Sequence, residues 1–341
     1  MQEITDQLKT GVELSAEQIE RAVAQLTGTE APDAEKAEFL RALAQRGETA
    51  GEIAAFAQAL LARAVDPEID PENLPGPVID VCGTGGDKME LFNVSTASMF
   101  LLAAGGAVVV KHGNRAITSR CGGADVLEEL GVRIDLPPEQ LRSCVEQLGL
   151  GFVFAPAYHP AFKAIGPVRR QLAAEGVATV FNLLGPLLNP ARPAYQLVGI
   201  FDPARLDHYA AALGKLGRTR AWAVHGAGLD ELATTGSSEV REVTAEGVRA
   251  FRINPTELNL PHAEVEQLRG SDAAGNAAIL TGILDGTVRG AKRDIVLLNA
   301  AAGFVITGLA PDLPAGLSLA REQLDSGRAA ERLRKLRAFR G

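Results

Sequence analysis

The sequence predicts an α/β protein in which a small all-helical N-terminal domain precedes a larger α/β domain with a mainly parallel central sheet. Three observations predict this class. The first seventy or so residues carry helix-period apolar patterns and no strand pattern, a proline-rich linker follows at 67–77, and short β-rich runs then alternate with helical ones. We place the helical domain at 1–74 and the α/β domain at 75–341.

Two capping signals mark the start of N-terminal helices. Ser15 is followed three residues later by Gln18, and Thr49 by Glu52, and each pair precedes an apolar stripe with helix spacing. Between them, Asp33 opens a third predicted helix. The N-terminal region is therefore expected to be a set of amphipathic helices.

The α/β part begins with a predicted βαβ unit. Val78–Cys82 predicts a buried strand, Ser95–Ala104 a helix that ends at two glycines, and Ala107–Val110 the next strand. The remaining predicted elements are strands at Phe152–Ala155, Leu197–Phe201 and Ala221–Val224, and helices at His159–Leu172 and from Asp294 onward.

The bulk composition excludes several classes of protein. A formal charge of −8 argues against general nucleic-acid binding, which needs a surplus of Lys and Arg. Cys82, Cys121 and Cys144 have no CxxC spacing, so neither a disulfide framework nor a structural zinc site is indicated. The chain opens without a signal-like segment, and its longest apolar stretch, 99–110, is shorter than the roughly 20 residues that span a bilayer. We expect a cytoplasmic protein without membrane contact.

A glycine-rich loop follows the first predicted strand. In Gly83-Thr84-Gly85-Gly86-Asp87, the glycines let backbone N–H groups approach an anion, so phosphate or pyrophosphate is the expected ligand. The loop has neither P-loop nor dinucleotide-binding form, and a plain tight turn is the alternative. The helix then opens with Asn93-Val94-Ser95-Thr96, whose hydroxyls lie at its positive end and could hold phosphate or a metal. An ordinary N-cap serine is the alternative there.

The next predicted strand ends in a second polar loop, Lys111-His112-Gly113-Asn114-Arg115. In a βαβ sheet both loops lie at the carboxyl ends of the strands, where ligands of such folds bind. A lone basic loop would be a solvated one. Two glycine-bearing polar loops at one sheet edge favour a functional site.

Asp230-Glu231 follows the predicted strand at 221–224 and adds adjacent carboxylates to the same edge. Mg²⁺ prefers such oxygen ligands together with substrate phosphates. The alternative is a solvated helix start. Arg169-Arg170, taken alone, indicates an exposed basic pair.

Five motifs, taken together, closely resemble the anthranilate phosphoribosyltransferase family. In chain order they are Gly83-Thr84-Gly85-Gly86-Asp87, Asn93-Val94-Ser95-Thr96, Lys111-His112-Gly113-Asn114-Arg115-Ala116, Phe181-Asn182-Leu183-Leu184-Gly185-Pro186-Leu187 and Leu229-Asp230-Glu231. The resemblance implies transfer of the phosphoribosyl group of phosphoribosyl pyrophosphate to the amine of anthranilate, a step of tryptophan synthesis that releases pyrophosphate. It also implies a homodimer that associates through the helical parts, and a segment at 159–178 that packs onto the small domain.

The resemblance also implies the site residues. The implied phosphoribosyl pyrophosphate contacts are Gly83, Gly86, Asp87, Asn93, Val94, Ser95, Thr96, Lys111, Ser119 and Gly123. The implied anthranilate contacts are Gly83, His112, Asn114, His159, Arg169, Gly185 and Pro186, with Arg169 facing the carboxylate. Ser95, Asp230 and Glu231 are implied to hold two magnesium ions. Catalysis is expected to depend on Asp230, Glu231, Lys111 and Arg169.

This sequence departs from the family's pattern at three places. Leu91 stands where Thr or Ser is common, and Cys121 where Ser is frequent, so each costs a hydroxyl beside the phosphates. The connection at 171–179 is a few residues longer than the usual form and has Ala178 where Arg is common.

Two other functions are open at this point. A pyrimidine nucleoside phosphorylase shares this fold family and works at ribosyl C1, but its Lys-x-Ser-Gly-Arg-Gly pattern differs from the Lys111-His112-Gly113-Asn114 run. A nucleic-acid-binding paralogue would keep the fold and lose transferase activity. The acidic total charge and the Asp230-Glu231 pair speak against it.

Overall fold

The computed structural model of the chain describes residues 1–86, 89–116 and 120–341. Asp87 and Ser119, two predicted phosphate contacts, lie outside the described residues. None of the helices within the described ranges has both the length and the apolar character needed to cross a bilayer.

Helices account for about half of the chain. The α-helices are α1 Gln2–Lys9, α2 Ala16–Thr27, α3 Asp33–Arg46, α4 Ala50–Leu61, α5 Val94–Ala104, α6 Gly123–Glu129, α7 Pro138–Leu148, α8 Ala155–Tyr158, α9 Phe162–Ala174, α10 Phe181–Leu184, α11 Leu206–Lys215, α12 Val265–Leu268, α13 Ala273–Leu284, α14 Ala291–Ile306, α15 Leu313–Asp325 and α16 Arg328–Ala338. Short 3₁₀ turns occur at Pro71–Asn73, Gly185–Leu187, Pro203–Arg205 and Pro255–Leu258.

Seven strands form one sheet. They are β1 Val78–Gly83, β2 Val108–Gly113, β3 Leu150–Phe154, β4 Tyr195–Gly199, β5 Arg220–Gly226, β6 Ser238–Thr244 and β7 Gly247–Ile253. Their order is β3-β2-β1-β4-β5-β6-β7, and the first five run parallel while β6 and β7 are antiparallel. The predicted fold class is confirmed, and all the predicted strands are present within a few residues of their expected bounds.

The antiparallel pair β6–β7 was not predicted from the sequence. Charged side chains interrupt both strands, and β7 is exposed along nearly its whole length. An edge strand of this kind lacks the apolar run that identifies a buried parallel strand.

The N-terminal helices begin where the capping signals predict. The Ser15 hydroxyl accepts from the Gln18 N–H while the Gln18 side chain accepts from the Ser15 N–H, and Thr49 and Glu52 form the same reciprocal pair. Asp33 is the first residue of α3, and the N-cap itself is Pro32, without a side-chain hydrogen bond.

Two apolar clusters cover the two faces of the sheet. One packs α5, α7 and α16 against the strands β1, β2 and β3, and α14 against α5, β4 and β5, with Phe100 and Phe304 among its buried members. The other joins the N-terminal helices to α9, α11 and the opposite sheet face, so that Phe39, Val168 and Val198 belong to the same cluster. Helix α9 packs directly on α2 and α3. Cys82, Val198 and Ala223, near the carboxyl ends of β1, β4 and β5, belong to the same cluster as the N-terminal helices.

Candidate active site

Glycine at the ends of three neighbouring strands brings the carboxylate segment onto the sheet edge. A Cβ added at Gly83 or Gly199, the last residues of β1 and β4, would overlap atoms of Asp230. At Gly226, the last residue of β5, a Cβ would overlap the backbone oxygen of Glu231. The acidic pair thus lies against the predicted edge only because three side chains are absent. Sequence reasoning used Gly83 but missed Gly199, which lies inside the predicted strand at 197–201, and Gly226, which comes two residues after the predicted strand at 221–224.

The glycine loop after β1 is tied to the same carboxylate. The Gly85 N–H donates to Asp230 Oδ2 at 2.7 Å. Gly85 and Gly86 both have positive φ, at 69° and 95°, a conformation that glycine adopts without strain. The Asp230 carboxylate therefore holds the loop at the carboxyl end of β1.

The first turn of α5 presents two hydroxyls at a helix N-terminus. The N-cap residue is Asn93 and makes no side-chain cap, so Ser95 lies inside the first turn and the interpretation as an N-cap serine is wrong. Thr96 is buried, and within the described parts of the chain its Oγ1 has no hydrogen-bond partner. Gly123, at the start of α6, lies beside it, where a Cβ would be 3.3 Å from Thr96 Oγ1. A buried hydroxyl without a partner here suits an incoming phosphate oxygen.

Lys111 lies beneath these groups. Its side chain is 3% exposed, and Nζ donates to Ser95 Oγ at 3.1 Å and to the backbone oxygen of Val81. The ammonium is thus fixed behind the Ser95 hydroxyl, where it adds positive charge to the site.

Asn93 and Cys121 connect the loop that leads into α5 with the loop that leads into α6. Asn93 Nδ2 donates to the Cys121 backbone oxygen at 3.2 Å, and Asn93 Oδ1 accepts from Asn276 Nδ2 at 3.0 Å. Burial raises the pKa of the Cys121 thiol to about 11, so this residue stays a neutral thiol at neutral pH. Val94, the residue after Asn93, is buried at the start of α5.

A row of aromatic rings leads from β2 to α9 on the other side of the site. His112 and His159 meet edge to face at 5.4 Å between ring centroids, His159 and Phe162 at 5.5 Å, and Phe162 and Phe181 at 5.6 Å. The guanidinium of Arg169 lies over the rings of Phe162 and Phe181 at 5.8 and 5.1 Å. The aromatic row, His112, His159, Phe162 and Phe181, thus ends at a cation.

Arg169 is only partly accessible and lacks a counterion among the described residues. No hydrogen bond or ion pair to its guanidinium occurs within those ranges, and burial lowers its pKa. Its neighbour Arg170 is exposed, whereas Arg169 is partly buried, so the two side chains do not form an ordinary solvated pair. A partly desolvated guanidinium stacked on two rings is ready to pair with an anionic group.

The two histidines of the row are buried and neutral. Burial lowers the pKa of His112 to about 3 and also lowers that of His159. His112 Nδ1 lies 3.0 Å from the Gly185 carbonyl, and His159 Nε2 lies 2.8 Å from the Leu188 carbonyl. Since a carbonyl only accepts, each of these nitrogens carries the proton. His112 Nε2 is then a buried acceptor, without a partner in the described residues.

The segment after α10 forms the facing wall. Gly185 is exposed, and a Cβ built on it would meet nothing within 4 Å, whereas Pro186 is buried. Asn114 is exposed at the end of the β2 loop, with Oδ1 accepting from the Arg115 N–H. His159 lies between α8 and α9 rather than within the predicted helix, because the chain turns at Pro160 before α9 begins.

The described residues contain no cluster of three or more His, Cys, Asp or Glu side chains that could by itself hold a metal ion. The donors that the site offers are two carboxylates and the Ser95 hydroxyl. This hard-oxygen set suits Mg²⁺, whose remaining ligands come from substrate phosphates and water.

Both parts of the chain match one class of enzyme. Residues 75–330 match the a/b domain of the glycosyl transferase family, and residues 2–64 match its helical bundle domain. Together the two matches define an enzyme of the glycosyltransferase class.

Curated relatives and solved structures narrow the class. The chain is 45% identical over 319 residues to the anthranilate phosphoribosyltransferase of Natronomonas pharaonis, covering 94% of each chain. The crystal structure of the Thermus thermophilus enzyme superimposes with a TM-score of 0.91 at 42% identity over 98% of both chains. The Saccharomyces cerevisiae enzyme, solved with PRPP and Mg, gives 0.87 at 25% identity over 98% of this chain and 96% of that one. The chain belongs to the anthranilate phosphoribosyltransferase family.

Proposed function

We propose that this site transfers the phosphoribosyl group of phosphoribosyl pyrophosphate to the amine of anthranilate, the reaction that the names of its relatives state. The observation that carries the proposal is Arg169, a partly buried cation over two aromatic rings without a counterion in the described residues. An aromatic carboxylate satisfies both features, because its ring extends the aromatic row and its carboxylate pairs with the guanidinium.

The amine side of the site orients the nucleophile. The lone pair of His112 Nε2 is placed to accept an N–H from the aryl amine, while Gly185 leaves space for the ring. An aryl amine is already neutral at pH 7, and a histidine with a pKa of about 3 is a weak base. Orientation, rather than proton removal before attack, is therefore the contribution of His112.

The phosphate side stabilises the leaving group. Gly83, Gly86 and Gly123 let backbone approach phosphate oxygens, and Thr96 Oγ1 offers a hydroxyl without a partner in the described residues. Asp230, Glu231 and Ser95 would hold Mg²⁺, which we place at two ions per subunit. When bound, Mg²⁺ neutralises charge that develops on pyrophosphate as the C1–O bond loosens. Asp87 and Ser119 stay predicted contacts from the sequence.

We extend the proposal to organisation and location. Residues 1–74 form the small helical domain, onto which 159–178 packs, and residues 75–341 form the α/β domain. Two copies of the chain associate through the helical parts to form a homodimer. The packing of α9 on α2 and α3 supports this division. The enzyme acts in the cytoplasm, where phosphoribosyl pyrophosphate is available, without nucleic-acid or membrane partners.

The decisive experiment follows the fluorescence of anthranilate with purified protein. Fluorescence should fall only when phosphoribosyl pyrophosphate and Mg²⁺ are both present, and addition of a chelator should stop the reaction. Phosphorolysis of thymidine or uridine, or a gel shift at physiological salt, should be absent. Consumption of anthranilate without Mg²⁺ would contradict the proposed metal role.

A further inference from the structure

Four polar side chains are buried within and beneath the segment 185–189. Asp80, Asn189 and Gln196 have no exposed surface, and Arg218 is 7% exposed. Asp80 on β1 and Gln196 on β4 are register partners in the sheet. These four residues, called the polar layer below, lie on the sheet face that the helical region covers with apolar side chains.

One half of the polar layer runs from Arg218 to the backbone of Pro186. Arg218 Nε donates to Gln196 Oε1 at 3.0 Å, which leaves the amide nitrogen of Gln196 facing away from the guanidinium. That nitrogen donates to the Pro186 carbonyl at 2.6 Å. Because proline has no N–H, the carbonyl is the backbone group through which this residue can be held.

The other half of the layer holds the end of the same segment. Asp80 accepts from Asn189 Nδ2 at 3.1 Å and from the backbone N–H of His112 at 3.1 Å. Asn189 Nδ2 also donates to the Val110 carbonyl at 2.7 Å. The segment 185–189 is therefore fixed to β1, β2 and β4 at once.

Stability alone gives a poor account of this layer. Buried ionic and polar groups often contribute less to folding than apolar side chains of the same volume would. Burial raises the pKa of Asp80 and lowers that of Arg218, so both charges are held at a cost. What such groups supply is a unique geometry, and the geometry here is that of the Gly185–Pro186 wall.

We propose that Gln196, oriented by Arg218, is a positioning residue that sets the Gly185–Pro186 wall of the aromatic-amine site. This inference rests on the proposed function, which assigns Gly185 and Pro186 to anthranilate. Gln196 touches no substrate and acts through the Pro186 carbonyl. Loss of its amide donor lets the wall shift toward or away from the aromatic row, while the phosphate loops, held by Asp230 and Lys111, stay in place.

The test is steady-state kinetics of full-length Gln196→Met. Methionine keeps the length of the side chain and removes its hydrogen bonds to Arg218, to the Pro186 carbonyl and to Cys82 Sγ. Since a neutral hydrogen bond contributes about 1 kcal/mol, KM for anthranilate should rise roughly three- to tenfold. KM for phosphoribosyl pyrophosphate should change less than about twofold, because substitutions at sites that share no contacts act independently. Gln196→Glu keeps an acceptor for Arg218 but lacks the donor to Pro186, and it should raise KM for anthranilate at least as much.

Gln323→Met is the matched control. Gln323 is 2% exposed on α15 and donates to the Leu319 carbonyl, so this variant also removes a buried amide, but away from the site. It should leave both KM values unchanged, even if Tm falls. If Gln196→Met does not fold, Gln196→Glu decides the question alone.

Arg169→Ala, assayed in parallel, separates the two levels of the proposal. If Arg169→Ala weakens anthranilate while both Gln196 variants leave its KM unchanged, the inference on Gln196 is wrong and the amine site stands. Parallel shifts in both KM values for the Gln196 variants also overturn it. If neither Arg169→Ala nor the Gln196 variants affect anthranilate, the assignment of the amine site itself fails.

Discussion

The phosphate side and the amine side of the site are built in different ways. On the phosphate side, short contiguous motifs supply glycines, hydroxyls and carboxylates, and the structure brings their strand ends together at one edge. On the amine side, His112, His159, Gly185 and Arg169 come from four separate segments and are positioned by buried side chains. Short contiguous motifs supply the residues of the phosphate side, whereas the amine side depends on packing between distant segments. Substitutions on the two sides should therefore fail in different ways.

The largest expected effect is on the phosphate side, at the acidic pair. Replacing Asp230 with Asn and Glu231 with Gln removes two charges with little change in shape. Activity should fall at least about a hundredfold and the Mg²⁺ requirement should rise, since metal and leaving-group stabilisation are lost together. Initial rates across a magnesium titration measure both.

The control for the acidic pair is Glu3→Gln with Asp6→Asn, which removes two exposed charges from α1. This variant should behave as wild type. Near wild-type activity of the Asp230/Glu231 variant at low magnesium would mean that the pair is only a solvated segment.

A second expectation concerns the strand-end glycines Gly83, Gly199 and Gly226, called the glycine edge below. In Gly199→Ala the new Cβ overlaps the backbone oxygen of Asp230, so the carboxylate segment must move. We expect at least about a tenfold loss of kcat/KM, as misplaced catalytic groups lose orientation. Gly214→Ala, whose Cβ would make an ordinary 3.5 Å contact with Val243 inside α11, should keep activity and gain up to about 1 kcal/mol of stability. Equal activity of the two variants would contradict the role of the glycine edge.

Arg169→Ala tests the amine side and its substrate together. A hydrogen bond to a charged group contributes roughly 1.5 to 3 kcal/mol, so anthranilate should weaken by about one to two orders of magnitude. The KM for phosphoribosyl pyrophosphate should barely change. Aniline, which lacks the carboxylate, should be a poor substrate for both proteins. The measurement is kcat/KM for both amines with both proteins, which isolates the pairwise contribution.

Parallel losses for aniline and anthranilate would remove Arg169 from the carboxylate position. A change confined to the KM for phosphoribosyl pyrophosphate would place Arg169 on the phosphate side and contradict the difference proposed between the two sides.

The amine side should also show a pH dependence of stability, an effect on folding rather than on catalysis. His112 has a pKa of about 3 when folded and the ordinary value near 6.5 when unfolded, so acidification protonates the unfolded chain first. Stability is therefore complete above about pH 6.5 and falls as pH drops toward 3. Between pH 7 and 5 the loss from His112 should be about 2 kcal/mol. Urea unfolding at the two pH values measures it.

His112→Gln is the comparison for this pH effect, because glutamine keeps a polar side chain but does not titrate. The difference in unfolding free energy between pH 7 and 5 should be smaller in the variant by about 2 kcal/mol. The same pH dependence in both proteins would show that other groups, such as His159, dominate.

The sequence alone determined those features of this protein that depend on residues close together in the chain. The capping pairs at Ser15 and Thr49 fixed where two helices begin, since the donors and acceptors lie three residues apart. Apolar runs identified the parallel strands, and the glycine loop and the Asp230-Glu231 pair could be assigned to one sheet edge because parallel strands share their carboxyl ends. The five motifs identified the family.

Only the tertiary structure decided which side chains meet across the chain. The charged residues within β6 and β7 hid an edge hairpin, and the sequence around Gly199 and Gly226 does not show that their missing side chains make room for the Asp230-Glu231 segment. Gln196 and Arg218 read as unremarkable polar residues until the fold buries them against Pro186. The physical reason is that a motif encodes contacts between near neighbours, while burial and orientation depend on elements that packing brings together from distant parts of the chain.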